Sequence, residues 1–176
     1  MPEPVDVVLL SGTVGAGKTT TAHALSDLLR TAGVRHAVVD LDEIRLLRPP
    51  PDGDRFAHEV ELANLRDLAR NFAAAGAERL VLAGVVEEGV EGDRYREAVT
   101  GRLLLVRLLV RPDRAAVRLR HRHAEEPEAR TWHLHRTDEL AAVLDAAPFE
   151  DAHVDTTDRT PAQVALEVAR LAGWAG

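Results

Sequence analysis

The chain has 176 residues, a formal net charge of −7 and no cysteine. That charge argues against nucleic acid as the main partner; the missing thiols exclude disulfides and thiolate metal sites and make the cytoplasm the expected setting. The opening Met1-Pro2-Glu3-Pro4 lacks the regions of a signal peptide, and no apolar run is long enough for a bilayer, so no membrane partner is expected.

One domain over 1–176 with a single core is expected at this length. Aromatics are 3% of the chain and Ile44 is the only isoleucine, so that core must be built from Leu, Val and Ala. The periodicities predict a strand over 5–10, then a helix from 17 to about 31 that Gly33 stops. A short strand over 36–40 ends on Asp40. A helical turn over 41–47 is broken by Pro49-Pro50-Pro51-Asp52-Gly53, an exposed loop by its turn chemistry. A long helix follows over about 55–75, with Leu62, Leu65, Ala69 and Phe72 on its inner face and Gly76 at its end.

The third strand is expected over 79–86, a polar segment over 87–93 and a short helix near 95–99. The fourth strand spans 102–110, and a basic helix from 112 to about 123 leads to Glu125-Glu126-Pro127-Glu128. A second helix covers roughly 130–145. A brief fifth strand spans 153–155, and Thr160-Pro161 opens a last helix to about 172. Strands alternating with helices predict an α/β fold: a five-stranded parallel sheet with helices on both faces. Right-handed crossovers gather the strand ends along one edge. The loop after the first strand, Asp40 and Asp42, Glu87 and Glu88, and Arg111 would meet there.

Gly12-Thr13-Val14-Gly15-Ala16-Gly17-Lys18-Thr19 reads G-x-x-x-x-G-K-T, between an apolar strand and a helix. Glycines at 12, 15 and 17 let backbone N–H groups turn inward onto phosphate oxygens, aided by the positive end of the next helix. Lys18 would reach the β- and γ-phosphates, Thr19 carries the hydroxyl that binds Mg²⁺ in such loops, and Thr20 completes the nucleotide contacts. Lys18 is the only lysine in a chain otherwise basic through arginine, which speaks against a chance match.

Asp40-Leu41-Asp42-Glu43-Ile44-Arg45 is the second informative stretch. Transfer of a phosphoryl group to a hydroxyl needs a carboxylate to take the proton and an acid to hold Mg²⁺ or its waters. Asp40 and Asp42 are the available pair, with Asp40 taken first; either could instead cap the following helix. Arg45 would bind an anionic substrate group or simply face solvent. Glu87 would read a cationic or hydroxylated group, or face water.

Arg111, Arg114, Arg118 and Arg122 share one helical face, and Arg118 and Arg122 are the two expected to neutralise a moving phosphate. His121, His123, His133 and His135 are spaced by two within each pair, which points the side chains apart on a helix and argues against a metal site.

The glycine loop followed by V-D-L-D-E-I-R resembles small P-loop kinases of the adenylyl-sulfate kinase and chloramphenicol phosphotransferase type. Val39 to Arg45 match the L-D-G-D-N-I-R of the former, and Val39-Asp40 match the V-D whose Asp is the base in the latter. Arg118-Leu119-Arg120-His121-Arg122 resembles the R-L-x-x-R that opens the lid of gluconate- and shikimate-kinase relatives. Val154-Asp155-Thr156-Thr157 is similar to the adenine-side loop of chloramphenicol phosphotransferase and puts Thr156 beside the nucleotide.

The resemblance implies the three-layer P-loop nucleoside triphosphate hydrolase fold with a helical lid over about 118–136. It also implies ATP and Mg²⁺ as cofactors, Thr19 and Asp40 at the metal, and Asp40, Asp42, Arg45 and Glu87 around a small hydroxylated acceptor. That acceptor stays open between adenylyl sulfate, an antibiotic and another metabolite. The middle strand ends in Ala83-Gly84 with no acid, which leaves a second reading: an ATPase or regulatory nucleotide-binding protein that passes on no phosphate. A guanine-reading N-K-x-D is excluded by the lone lysine.

Overall fold

Five parallel strands form one sheet in the order β2-β3-β1-β4-β5. The computed structural model describes residues 6–99, 101–122, 128, 131, 135, 137, 140–144 and 149–175, with the backbone alone at 90, 121 and 122. The strands are β1 (Asp6–Gly12), β2 (His36–Asp40), β3 (Arg79–Ala83), β4 (Leu103–Leu109) and β5 (Ala152–Asp155). The helices are α1 (Lys18–Thr31), α2 (Leu41–Ile44), α3 (His58–Ala74), α4 (Gly89–Ala98), α5 (Pro112–Arg122) and α6 (Pro161–Leu171).

β1 is central because it is apolar on both faces. Val7 and Leu9 turn to a layer with Leu62 and Leu65 of α3 and Tyr95 of α4. Val8 and Leu10 turn to the opposite layer, against Leu25 and Leu29 of α1 and Val164 and Val168 of α6. Burying each such Val or Leu contributes roughly 1.5–3 kcal/mol, which is how a core poor in aromatics holds. Leu10 lies beside Ala83 on one flank and Val106 on the other, so the strand ends and the loops that leave them are level.

Several boundaries moved from the sequence expectation, each for a local reason. α3 starts at His58 rather than near 55. The Asp54 carboxylate accepts the amides of His58 (2.8 Å) and Glu59 (3.0 Å), and Ala57 sits in the left-handed region at φ 51°. The expected third strand ran to 86, but β3 ends at Ala83. There Gly84 passes so close to α2 that a Cβ would lie 2.6 Å from the Leu41 side chain. The turn after β2 is helical only to Ile44, and α4 begins at Gly89, earlier than expected.

The last helix opens where expected. The Thr160 hydroxyl accepts the Gln163 amide at 3.3 Å while the Gln163 side chain accepts the Thr160 amide at 2.9 Å. Of the second helix expected over 130–145, residues 131, 135, 137 and 140–144 are described, and all are helical. The lid expected over 118–136 falls largely outside the described residues, as do the side chains of Arg122, His121, His123 and His133. Among the described residues no helix is long and apolar enough to cross a membrane.

Candidate active site

The loop between β1 and α1 sets the rest of the site. Gly12, at φ 135°, would place a Cβ 2.5 Å from the Leu108 carbonyl oxygen, so only glycine lets β1 leave the sheet this close to β4. The carbonyls of the loop are held by side-chain donors. Lys18 Nζ donates to Gly12 (2.9 Å) and Thr13 (3.0 Å), and the Thr137 hydroxyl donates to Val14 (3.2 Å). Arg118 Nη1 donates to Gly15 (3.2 Å) and the Thr156 hydroxyl to Ala16 (3.0 Å). With the carbonyls engaged this way the turn is fixed, and the Ala16 amide closes it onto the Thr13 carbonyl at 3.2 Å.

α1 completes an anion site. Its N-cap, Gly17, offers no side-chain cap, and no acid lies in its first turn. The leading amides and the positive end of the helix make a setting that suits phosphate oxygens.

Thr19 and Asp40 meet here although 21 residues separate them: the Thr19 hydroxyl donates to Asp40 Oδ2 at 3.1 Å. The other oxygen, Oδ1, accepts the Asp42 amide at 3.0 Å and caps α2. Asp40 thus both caps the helix and faces the loop. Asp42 is about half exposed and ion-pairs with Arg45. A hydroxyl beside a carboxylate is a hard oxygen pair that fits Mg²⁺, and among the described residues no group of three or more His, Asp or Glu holds a metal alone. An ion here would complete its shell with substrate oxygens and water.

Arg118 and Thr156 brace the loop from behind. Thr156 is buried, its hydroxyl committed to the Ala16 and Leu109 carbonyls, the latter at 3.1 Å. Arg118 also donates to the Thr156 hydroxyl (3.2 Å) and carbonyl (2.8 Å). The two tie α5 and the β5–α6 connection to the phosphate loop.

Val14, Gly15, Gly17, Lys18, Thr19, Thr20, Asp40, Asp42, Arg45, Glu87 and Arg118 line one cleft of about 1110 Å³. Gly12, Thr13, Ala16 and Thr156 stand behind its wall. A smaller hollow of about 520 Å³, between Leu46 and Leu47 on one side and Val60 and Leu68 of α3 on the other, holds neither the glycine loop nor the Thr19–Asp40 pair.

Sequence reasoning missed a buried polar chain beneath the far end of the cleft. Glu61 of α3 is fully buried, accepts the Tyr95 hydroxyl of α4 and lies 3.3 Å from Arg45 Nη1. Burial pushes the Glu61 carboxyl up to about 7, against the pull of the Tyr95 hydroxyl and of Arg45. Burial, then the Glu61 charge, raises the Tyr95 hydroxyl above its usual range. A signal existed: Glu61 sits four residues before Leu65, on the apolar face of its own helix. His58 packs edge-on against Tyr95 with ring centroids 5.6 Å apart.

A parallel sheet in this order, with a glycine loop after its central strand and a Lys-Thr pair opening the next helix, defines a P-loop nucleoside triphosphate hydrolase fold. The chain belongs to the AAA domain family, whose model matches residues 8–142. None of the curated proteins matches it.

Solved structures resemble it across nearly its whole length. The tunicamycin resistance protein of Deinococcus radiodurans is 20% identical with a TM-score of 0.63, covering 96% of each chain. Shikimate kinase from Acinetobacter baumannii, solved with shikimate, is 18% identical at a TM-score of 0.63, covering 97% of this chain and 93% of that one. The Mycobacterium tuberculosis APS kinase CysC, solved with AMPPNP and APS, is 18% identical at a TM-score of 0.59, covering 97% of this chain and 98% of that one. At these identities the likeness is one of fold.

Proposed function

We propose that the protein is an ATP-dependent phosphotransferase that moves the γ-phosphoryl group of ATP to a hydroxyl of a small molecule. The observation that carries the reading is the 3.1 Å hydrogen bond between Thr19 and Asp40. It puts a carboxylate at the lip of an anion-binding loop, inside a cleft that continues well past it. Likeness of fold to a shikimate kinase and an APS kinase supports the same reading.

Each residue then has a task. The amides of the glycine loop and the start of α1 hold the phosphates of ATP. Lys18 exchanges the Gly12 and Thr13 carbonyls for the β- and γ-phosphate oxygens. Thr19 and Asp40 would hold Mg²⁺, which when bound would offset charge on the phosphate oxygens. Asp40 takes the acceptor's proton as its oxygen bonds to phosphorus and ADP departs. Asp42 is the weaker candidate for base because Arg45 already pairs with it. Arg118 stiffens the loop, and with Arg122 offsets charge on the moving group.

The test is ADP release with and without candidate hydroxylated acceptors. Acceptor-dependent release that Asp40→Ala abolishes is the expected result; full activity in that variant would refute the role of Asp40. The absence of an acid at the Ala83-Gly84 end of β3 favours the second reading, an ATPase without acceptor, and release indifferent to every acceptor would establish it.

A further inference from the structure

The cleft is electrically divided. At the loop end stand Lys18 and Arg118. Lining the same cleft are carboxylates from three separate segments: Asp42 and Glu43 of α2, Asp52 and Asp54 of the loop before α3, and Glu87 and Glu91 after β3. Backbone amides of Glu59 and His58 hold the Asp54 carboxyl below its usual range, so it stays charged. Glu59, also on this wall, is already matched by Arg94, whose Nη2 lies 2.7 Å from both its oxygens.

Two cations face those acids, Arg45 and Arg55. Arg45 is held by Asp42 on one nitrogen and by Glu61, a carboxylate with 1% of its side chain exposed, on the other. Stripping Arg45 away for a substrate anion would leave Glu61 buried and uncompensated, which is costly. Arg55 is an exposed residue whose guanidinium lies 5.2 Å over the Phe56 ring, at the rim. A separate feature points the same way. His58 lines this cleft, and among the described residues its buried Nε2 has no hydrogen-bond partner. An imidazole nitrogen in the acceptor tautomer lacks a donor such as an ammonium or hydroxyl supplies.

We infer that the phosphoryl acceptor is a hydroxylated organic cation, an amino alcohol or amino sugar, received between α2, the 52–58 loop and the segment after β3. The inference rests on the phosphotransferase reading and deepens it. A carboxylated or phosphorylated acceptor meets an acidic wall on which Arg45 is already committed. An ammonium group meets acids that three segments converge on it, and its hydroxyl can then turn toward Asp40. Like-charge exclusion and opposite-charge steering both act in this direction.

The experiment uses the full chain with Mg²⁺ and ATP, reading ADP release with matched acceptors that differ in charge. Glucosamine is set against N-acetylglucosamine, glucose and gluconate, and kanamycin against its fully N-acetylated form. Release should be stimulated by the amines, with kcat/KM at least about tenfold above the acetylated partners, and the advantage should shrink as KCl is raised. Glu87→Gln combined with Asp52→Asn should narrow the preference while Mg·ATP affinity, read by calorimetry, stays unchanged. Equal or greater stimulation by acetylated or anionic members overturns the inference. So does an absence of stimulation by every amine in protein that binds Mg·ATP. Protein that binds no Mg·ATP takes down the phosphotransferase reading and this inference with it.

Discussion

The two ends of the cleft are built from different materials. At the loop end the backbone makes the site: five consecutive carbonyls, Gly12 to Ala16, are each held by a side-chain donor, which fixes the turn. At the far end side chains make it, carried on a four-residue helix, on loops and on the starts of α3 and α4, and the Arg45–Glu61–Tyr95 chain ties them to the core. The first arrangement is preorganised and indifferent to what is phosphorylated. The second can change with a few substitutions. A fold that keeps one end and varies the other can serve many acceptors.

The largest expected effect breaks the loop end. Lys18→Ala and Asp40→Asn should each lower kcat by about 10³-fold, the scale for losing one preorganised charged group at a transferring phosphate. Single-turnover rates check this, and a loss under tenfold in both would remove the loop end from the chemistry. Next is Gly12→Ala. A Cβ 2.5 Å from the Leu108 oxygen forces β1 and β4 apart, so a cost of about 2–4 kcal/mol is expected in urea unfolding. No change there would mean the loop is not held by the sheet.

Arg118→Ala sharpens the comparison instead of breaking it. It removes the donor on Gly15 and the link to Thr156, so Mg·ATP affinity should fall about 10–100-fold by calorimetry while acceptor preference is unmoved. An altered preference would place Arg118 at the wrong end.

The smallest effect belongs to Glu61. Its carboxyl is raised from 4.5 to about 7 in the folded protein, so the native state keeps a proton that the unfolded chain releases. That contribution is full below pH 4.5 and is lost as pH rises to about 7. Glu61→Gln should therefore gain on the wild type by roughly 1–3 kcal/mol across that interval. Parallel stability–pH curves for the two proteins would show that Glu61 does not titrate there.

The same division decides what could be read from the chain alone. The loop end was legible because eight contiguous residues encode it and its chemistry is that of the backbone. Asp40 was legible because it ends a strand, and the capping alternative turned out to describe its other oxygen. The far end was not legible in this way. Tyr95 and Glu61 meet across 34 residues, and no local pattern announces that contact. The start of α3 was misplaced because Asp54 reaches four and five residues ahead to cap it, a choice that competes with simply extending the helix. Thr156 was expected beside the nucleotide; what its sequence neighbourhood did not reveal is that its hydroxyl turns inward onto Ala16.

Lys18 sits inside its own loop, bonded to Gly12 and Thr13, and is the only lysine in the chain. Amine-selective reagents therefore have a single side-chain target, which coincides with the seat proposed for the triphosphate. A pyridoxal phosphate adduct trapped by borohydride would mark that position alone, apart from the α-amino terminus. Its yield, followed by mass spectrometry as nucleotide is added, would report occupancy directly, with no dye, no tag and no knowledge of what receives the phosphate.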